Sequence, residues 1–158
     1  MRKIDFAKLS SADQGLLLAA RDAMEKAYNP YSTFFVGAAL MTVDGEIVTG
    51  ANFENAAYSA TICAERAAIV RAAAMGHTVF GRIAVIGRGA KAPTTEVISP
   101  CGVCRQMIFE SAQISRMNIE VIMSSSEMKK IVVGTISELL PLGFGPGNLG
   151  LRLERFRR

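Results

Sequence analysis

Charged and apolar residues alternate from Met1 to Gln14, and the pattern then turns amphipathic. Ser11 followed by Gln14 reads as a capping box opening a helix that runs to about Ala27. Asn29-Pro30 ends it, because the residue before a proline is steered away from helical backbone. Phe35 to Thr42 and Glu46 to Asn52 predict two strands, joined at Asp44-Gly45, a dipeptide suited to a tight hairpin. Thr61 to Met75 is built from strong helix formers, with Gly76 placed as its stop. Arg82 to Gly87 is a short β-branched run of the buried-strand type. A loop with Lys91, Pro93 and Pro100 leads to a second helix, predicted from Gly102 to about Ser111. Ile119 to Ser124 and Lys130 to Gly134 predict two further strands, and Ser137 to Leu140 a short helical turn. A hairpin followed by alternating helix and strand predicts an α/β fold of three layers, α/β/α, around a mixed five-stranded sheet. With no repeat, low-complexity tract or linker, residues 1–158 read as a single domain.

Composition narrows the class. Half of the 158 residues are hydrophobic, enough for one core with apolar surface left for contacts between subunits. The N-terminus lacks the apolar region of a signal peptide, and runs such as Phe34 to Met41 are far too short to span a bilayer. The expectation is a cytoplasmic protein without membrane association. The net charge of +4 gathers late, in Arg152, Arg155, Arg157 and Arg158. No aromatic residues interleave with basic ones elsewhere, which favours a solvated or interface-packed tail over a nucleic-acid contact. Gly143 to Gly150 is rich in glycine, but no Lys-Ser/Thr follows it, so it is a loop and not a phosphate cradle.

Three cysteines are an odd number in such a chain, and a disulfide framework is a poor use for them. Cys63-Ala64-Glu65 begins one predicted helix, and Cys101-Gly102-Val103-Cys104 begins another. A Cys-x-x-Cys pair at a helix start turns both sulfurs to one side, and free backbone N–H groups there favour thiolates. Three protein ligands leave one zinc position for water, the catalytic pattern, and Glu65 lies close enough to accept that water's proton. Three other readings compete. His77, the only histidine, would complete a structural site, but it lies roughly 20 Å along the predicted helix from Cys63. A redox Cys-x-x-Cys leaves Cys63 and Glu65 unexplained. Three buried apolar cysteines remain the plainest reading of each residue alone.

Five segments, in order, make the chain resemble the small homotetrameric cytidine deaminases over most of its length. They are Tyr28 to Ser32 with Phe34 and Val36-Gly37-Ala38; Asn52-Phe53-Glu54-Asn55; Cys63-Ala64-Glu65-Arg66; Ser99 to Gln106; and Glu138 to Pro141 with Phe144-Gly145-Pro146. The resemblance implies a cytidine-deaminase-like fold, one Zn2+ per chain on Cys63, Cys101 and Cys104, and Glu65 as the proton carrier. It implies hydrolytic deamination of cytidine and deoxycytidine, a step of pyrimidine salvage, by a homotetramer acting on free nucleosides and not on nucleic acid. Phe34 would stack on the base, Asn52 and Glu54 would hold the ribose hydroxyls, and the Ala56 backbone and Tyr58 fall in the substrate segment. Phe144 resembles an aromatic residue that reaches a neighbouring subunit's site.

Three thiolates leave such a site negative, so a cation is needed nearby. The resemblance implies that Arg66 hydrogen-bonds a cysteine sulfur. Arg105 is a second candidate, against the plain reading of a surface helix charge. Thr33 and Phe35 stand where the family pattern has His and Pro, and Ala67 where it has Thr. They remove no catalytic group but sit beside the site and bear on substrate preference. The rival functions are a deaminase of a modified cytosine nucleoside and a non-catalytic zinc or redox protein.

Overall fold

The computed structural model describes every residue from Met1 to Arg158. Six strands form one sheet: β1 (Arg2–Ile4), β2 (Phe34–Thr42), β3 (Ile47–Ala51), β4 (Phe80–Gly89), β5 (Glu120–Ser124) and β6 (Ile131–Thr135). Their order across the sheet is β1-β6-β5-β4-β2-β3. Only β4 and β5 are parallel, so the sheet is mixed. A parallel pair needs a crossover, and α3 (Gly102–Ser115) supplies it. The other helices are α1 (Ser11–Met24), α2 (Ala64–Ala74) and the single turn α4 (Ile136–Leu139).

Alternate residues of the strands feed two cores. Ala39, Ala84, Ile86, Ile122 and Val133 meet Leu16, Leu17, Ala20 and Met24 of α1 on one face. Ala38, Leu40, Ile83, Val85, Val121 and Met123 meet α2, α3 and α4 on the other, through Ala64, Ala68, Ile108 and Leu139. Three layers result, as the sequence predicts.

The sheet has six strands, not five. The extra strand, β1, pairs antiparallel with β6, Arg2 opposite Val133. Three residues are too few for a period of two to be legible, and its order comes from its partner. Element ends also move. Ser10, not Ser11, caps α1, its hydroxyl accepting from the Asp13 N–H at 3.1 Å, and that helix stops at Met24. Helix α2 starts at Ala64 and not Thr61, because Phe53 and Ile62 exchange two backbone hydrogen bonds of 2.9 Å that hold the preceding residues extended. Helix α3 runs past Ser111 to Ser115, whose hydroxyl accepts from the Phe80 N–H at 3.2 Å. At Asp44-Gly45 the hairpin turns with Gly45 at φ +85°, and Gly76 ends α2 at φ +94°.

The tail is tied to its own chain. The Thr78 N–H donates to the Arg158 carbonyl at 3.1 Å, the Arg158 N–H donates to Thr78 Oγ1 at 2.9 Å, and Arg116 pairs with Glu154. No helix is long and apolar enough to cross a membrane.

Candidate active site

Strand β2 begins, and β3 and β4 end, at one edge of the sheet, since Phe34 lies opposite Gly89 and Gly37 opposite Ala51. The N-termini of α2 and α3 meet beyond that edge. Cys63 occupies the N-cap position of α2 and Cys101 that of α3, both with extended backbone. Cys104 is one turn into α3 and fully buried. The Cys63 and Cys101 sulfurs are 3.9 Å apart, the Cys101 and Cys104 sulfurs 3.5 Å, and all three lie within 4.8 Å of one another.

Bonds of about 2.3 Å at tetrahedral angles place two zinc-bound sulfurs about 3.8 Å apart. The three cysteines therefore fit one zinc ion, and no fourth histidine, cysteine or carboxylate joins the cluster. His77 is at the far end of α2, with Nε2 3.0 Å from Glu46 Oε2. The Cys63 thiol is lowered to about 6, first by a hydrogen bond from Cys104, then by Cys101 and the Arg66 charge, against the opposing pull of burial. Cys104 is raised, as the proton donor in that bond and by burial. Two helix N-termini aimed at the cluster favour the anionic form further.

Glu65 is in the first turn of α2, buried to 3% exposure. Burial raises its carboxyl above the usual range, with the Cys63 charge adding to it; its own backbone N–H, Cys104 and Arg66 act the other way. Arg66 donates from Nη1 to the Thr61 carbonyl at 3.3 Å, so it reaches the cluster through its charge and not by a hydrogen bond to sulfur.

A cleft of about 370 Å³ opens onto these groups, lined by Phe34, Val36, Asn52, Glu54, Tyr58 and Ile98 beside Cys63, Glu65 and Cys101. Phe34 can lie close to β4 because Gly87 has no side chain: a Cβ there would stand 3.2 Å from its ring and 3.3 Å from Ile98. Asn52 does more than line the cleft. Its Oδ1 accepts from the Val36 N–H at 2.8 Å and its Nδ2 donates to the Phe34 carbonyl at 2.9 Å, continuing the β2–β3 ladder by one side-chain rung. One Nδ2 proton is left for a ligand. Glu54 is buried, and its Oε2 accepts from the Tyr31 and Ser32 N–H groups at 2.9 and 3.2 Å. Burial raises its carboxyl, but those donors, the Ser32 hydroxyl and Tyr58 outweigh it and the net direction is down. Its Oε1 is left to Tyr58, 3.5 Å away.

Ala56 is exposed and does not line this cleft; Phe144 is 60% exposed and also stands outside it, its carbonyl accepting from Gln106 Nε2 at 2.7 Å. Arg105 touches no sulfur. It donates to the Pro100 carbonyl from Nε at 2.8 Å and to the Leu139 carbonyl from Nη1 at 3.2 Å. Neither the surface-charge nor the thiolate-partner reading anticipates that bridge.

Residues 10–121 match the model of the cytidine and deoxycytidylate deaminase zinc-binding region. A cytidine deaminase of Sporosarcina psychrophila is 39% identical over 140 residues, covering 89% of this chain and 96% of that one. One of Halalkalibacterium halodurans is 41% identical over 133 residues, 83% and 92% of the two chains. The crystal structure of cytidine deaminase from Burkholderia pseudomallei superimposes with a TM-score of 0.74 at 39% identity, over 86% of this chain and all of that one. The three-cysteine cluster, the mixed sheet that carries it and these likenesses agree: the chain belongs to the cytidine and deoxycytidylate deaminase family, with zinc as its metal.

Proposed function

We propose that this protein is a hydrolytic deaminase of cytidine and deoxycytidine, releasing uridine or deoxyuridine and ammonia. One observation carries the reading: a buried glutamate lies between a trithiolate metal site and a cleft lined by an aromatic ring, an amide and a carboxylate. Zinc held by Cys63, Cys101 and Cys104 supplies the Lewis acidity that makes water nucleophilic near neutral pH. Glu65 takes the proton of the attacking water, delivers it to ring N3 as oxygen bonds to C4, and then carries the proton of the new C4 hydroxyl to the amine, which leaves as ammonia as the carbonyl forms. A carboxyl that serves as base and then as acid needs a proton affinity above that of a solvated glutamate, which its burial provides.

Phe34 stacks on the base and Asn52 holds Phe34 through its backbone. Glu54, kept ionised, offers Oε1 to ribose hydroxyls and repels a phosphate, which favours nucleosides over nucleotides or nucleic acid. Tyr58 steadies that carboxylate. The exposed aromatic groups, Tyr28 stacked on Phe53 at 4.8 Å, Tyr31, Tyr58 and Phe144, favour a homotetramer in which Phe144 serves a neighbouring copy. A centre built on three free thiols works best in the reducing cytoplasm.

The test is an absorbance assay with cytidine, deoxycytidine, CMP and cytosine in parallel, beside zinc analysis. We expect turnover of the two nucleosides with one zinc per chain. Glu65→Gln should keep its zinc and lose well over ~10²-fold in kcat. Near-normal turnover in that variant overturns the role of Glu65, and activity confined to CMP overturns that of Glu54.

A further inference from the structure

Arg105 follows the ligand Cys104 directly and grips the chain on both sides of the ligand Cys101. Its backbone N–H donates to the Cys101 carbonyl at 2.9 Å, as the first hydrogen bond of α3. Its side-chain Nε donates to the carbonyl of the buried Pro100, on the other side of Cys101, at 2.8 Å. The pyrrolidine of Pro100 fixes one backbone angle there. The two bonds then leave little freedom to the Pro100–Cys101 peptide, whose orientation aims the Cys101 sulfur. Cys101 is at the same time the most exposed of the three ligands, so packing does least to hold it.

The same guanidinium reaches a second anchor. Nη1 donates to the carbonyl of Leu139, the last residue of α4, which has no partner within its own helix. A residue further along α3 holds the chain beyond that point. The ring of Phe109 lies where side chains at Gly143 or Gly145 would stand, 3.0 and 2.8 Å from a Cβ. The loop before Cys101 is thus tied, through one planar fork, to a segment that α3 holds rigidly.

We infer that Arg105 is a positioning residue for the metal, fixing Cys101 through the Pro100 carbonyl and bracing it against the end of α4, with no contact to sulfur. A lysine has the charge but not the fork, and reaches one carbonyl at a time. The inference rests on the reading of the three cysteines as zinc ligands.

The experiment measures zinc release from the loaded protein to a chromogenic chelator, and thermal unfolding of the zinc-loaded and zinc-free forms, for the wild type, Arg105→Gln, Arg105→Lys and Gln106→Ala. Losing a residue that orients a ligand typically weakens metal affinity about 10- to 100-fold. Arg105→Gln should therefore release zinc at least about tenfold faster, with the gap in Tm between loaded and zinc-free forms narrowed. Arg105→Lys should fall between it and the wild type, and Gln106→Ala should release zinc at the wild-type rate. Unchanged release from Arg105→Gln, an equal loss of Tm in both of its forms, or equally fast release from Gln106→Ala overturns the inference while leaving the zinc site intact. A wild type that holds no zinc overturns the site itself.

Discussion

Gly50 and Gly37 allow the two faces of one sheet to be perturbed separately. A Cβ built on Gly50 would stand 2.4 Å from the Ala68 nitrogen and 2.5 Å from the Ala64 carbonyl oxygen of α2. Both are backbone atoms, so no side chain can rotate away. Ordinary contact starts near 3.4 Å, and Gly50→Ala must therefore move α2 off β3 by about 1 Å. Ala64 is flanked by Cys63 and Glu65, so the shift reaches a metal ligand and the proton carrier directly.

Overpacking of this kind costs about 1–3 kcal/mol. For a chain of this size that corresponds to a fall in Tm of roughly 2–12 °C. Misplacement of reacting groups by about 1 Å costs about 10²-fold in rate. Gly37→Ala meets α1 instead, 2.0 Å from the Ala20 carbonyl oxygen, and α1 carries no site residue. It should lose at least as much stability and far less kcat per folded, zinc-loaded chain. Calorimetry, zinc content and nucleoside turnover on both variants decide the matter. Full turnover in Gly50→Ala, or equal losses of kcat in the two, would refute the reasoning.

The zinc-free protein should be alkylated by iodoacetamide fastest at Cys63, with a rate midpoint near pH 6 where an ordinary thiol titrates near 9.0; peptide mapping across pH checks this, and a midpoint above pH 8 counts against it. Glu54 has its folded-state pKa below 4.5, so its ionised form and the stability it contributes are complete above that pH and are lost only as pH falls through the lowered value. KM for cytidine should accordingly stay flat between about pH 5 and 8, while Glu54→Gln should raise KM roughly tenfold or more. Thr33 is β-branched yet sits at φ 54°, a backbone conformation that costs such a residue about 1–3 kcal/mol. Thr33→Asn should raise stability by about 1 kcal/mol in chemical denaturation; a loss would mean that its side chain makes up for the strain.

Much of this fold was legible because its elements are long and strongly patterned. The hairpin at Asp44-Gly45, the stop at Gly76 and the three-layer order all follow from local rules that the packing does not overrule. What stayed hidden depends on partners distant in sequence. Arg2–Ile4 is a strand only because β6 lies beside it. Thr61 to Cys63 directly precedes a run of strong helix formers but is held extended by Phe53. That second override matters to the chemistry: it puts Cys63 at the N-cap of α2 and not inside the helix. The cysteines and Glu65 could be picked out because metal and proton chemistry restrict residue types. Asn52 and Arg105 could not be read fully, since an amide or guanidinium serves a ligand or a backbone carbonyl equally well. Only the hydrogen bonds to Phe34, Pro100 and Leu139 distinguish the two.

The N-cap placement of Cys63 also governs Glu65. A residue in the first turn has a backbone N–H with no partner inside the helix, and the Glu65 carboxylate uses its own. That contact and the helix dipole stabilise the anion, while 3% exposure and the neighbouring Cys63 charge destabilise it. Had α2 begun at Thr61, Glu65 would lie a full turn in, its N–H bonded to the Thr61 carbonyl, and only Cys104 and the Arg66 charge would oppose burial. A carboxyl so placed would hold its proton more firmly than Glu65 does. With the helix beginning at Ala64, the raising and lowering influences meet on one side chain, which is what a group that must both take and return a proton requires. The extended bridge between Phe53 and Ile62, next to Cys63 in the chain, thereby contributes to the acid–base character of the site.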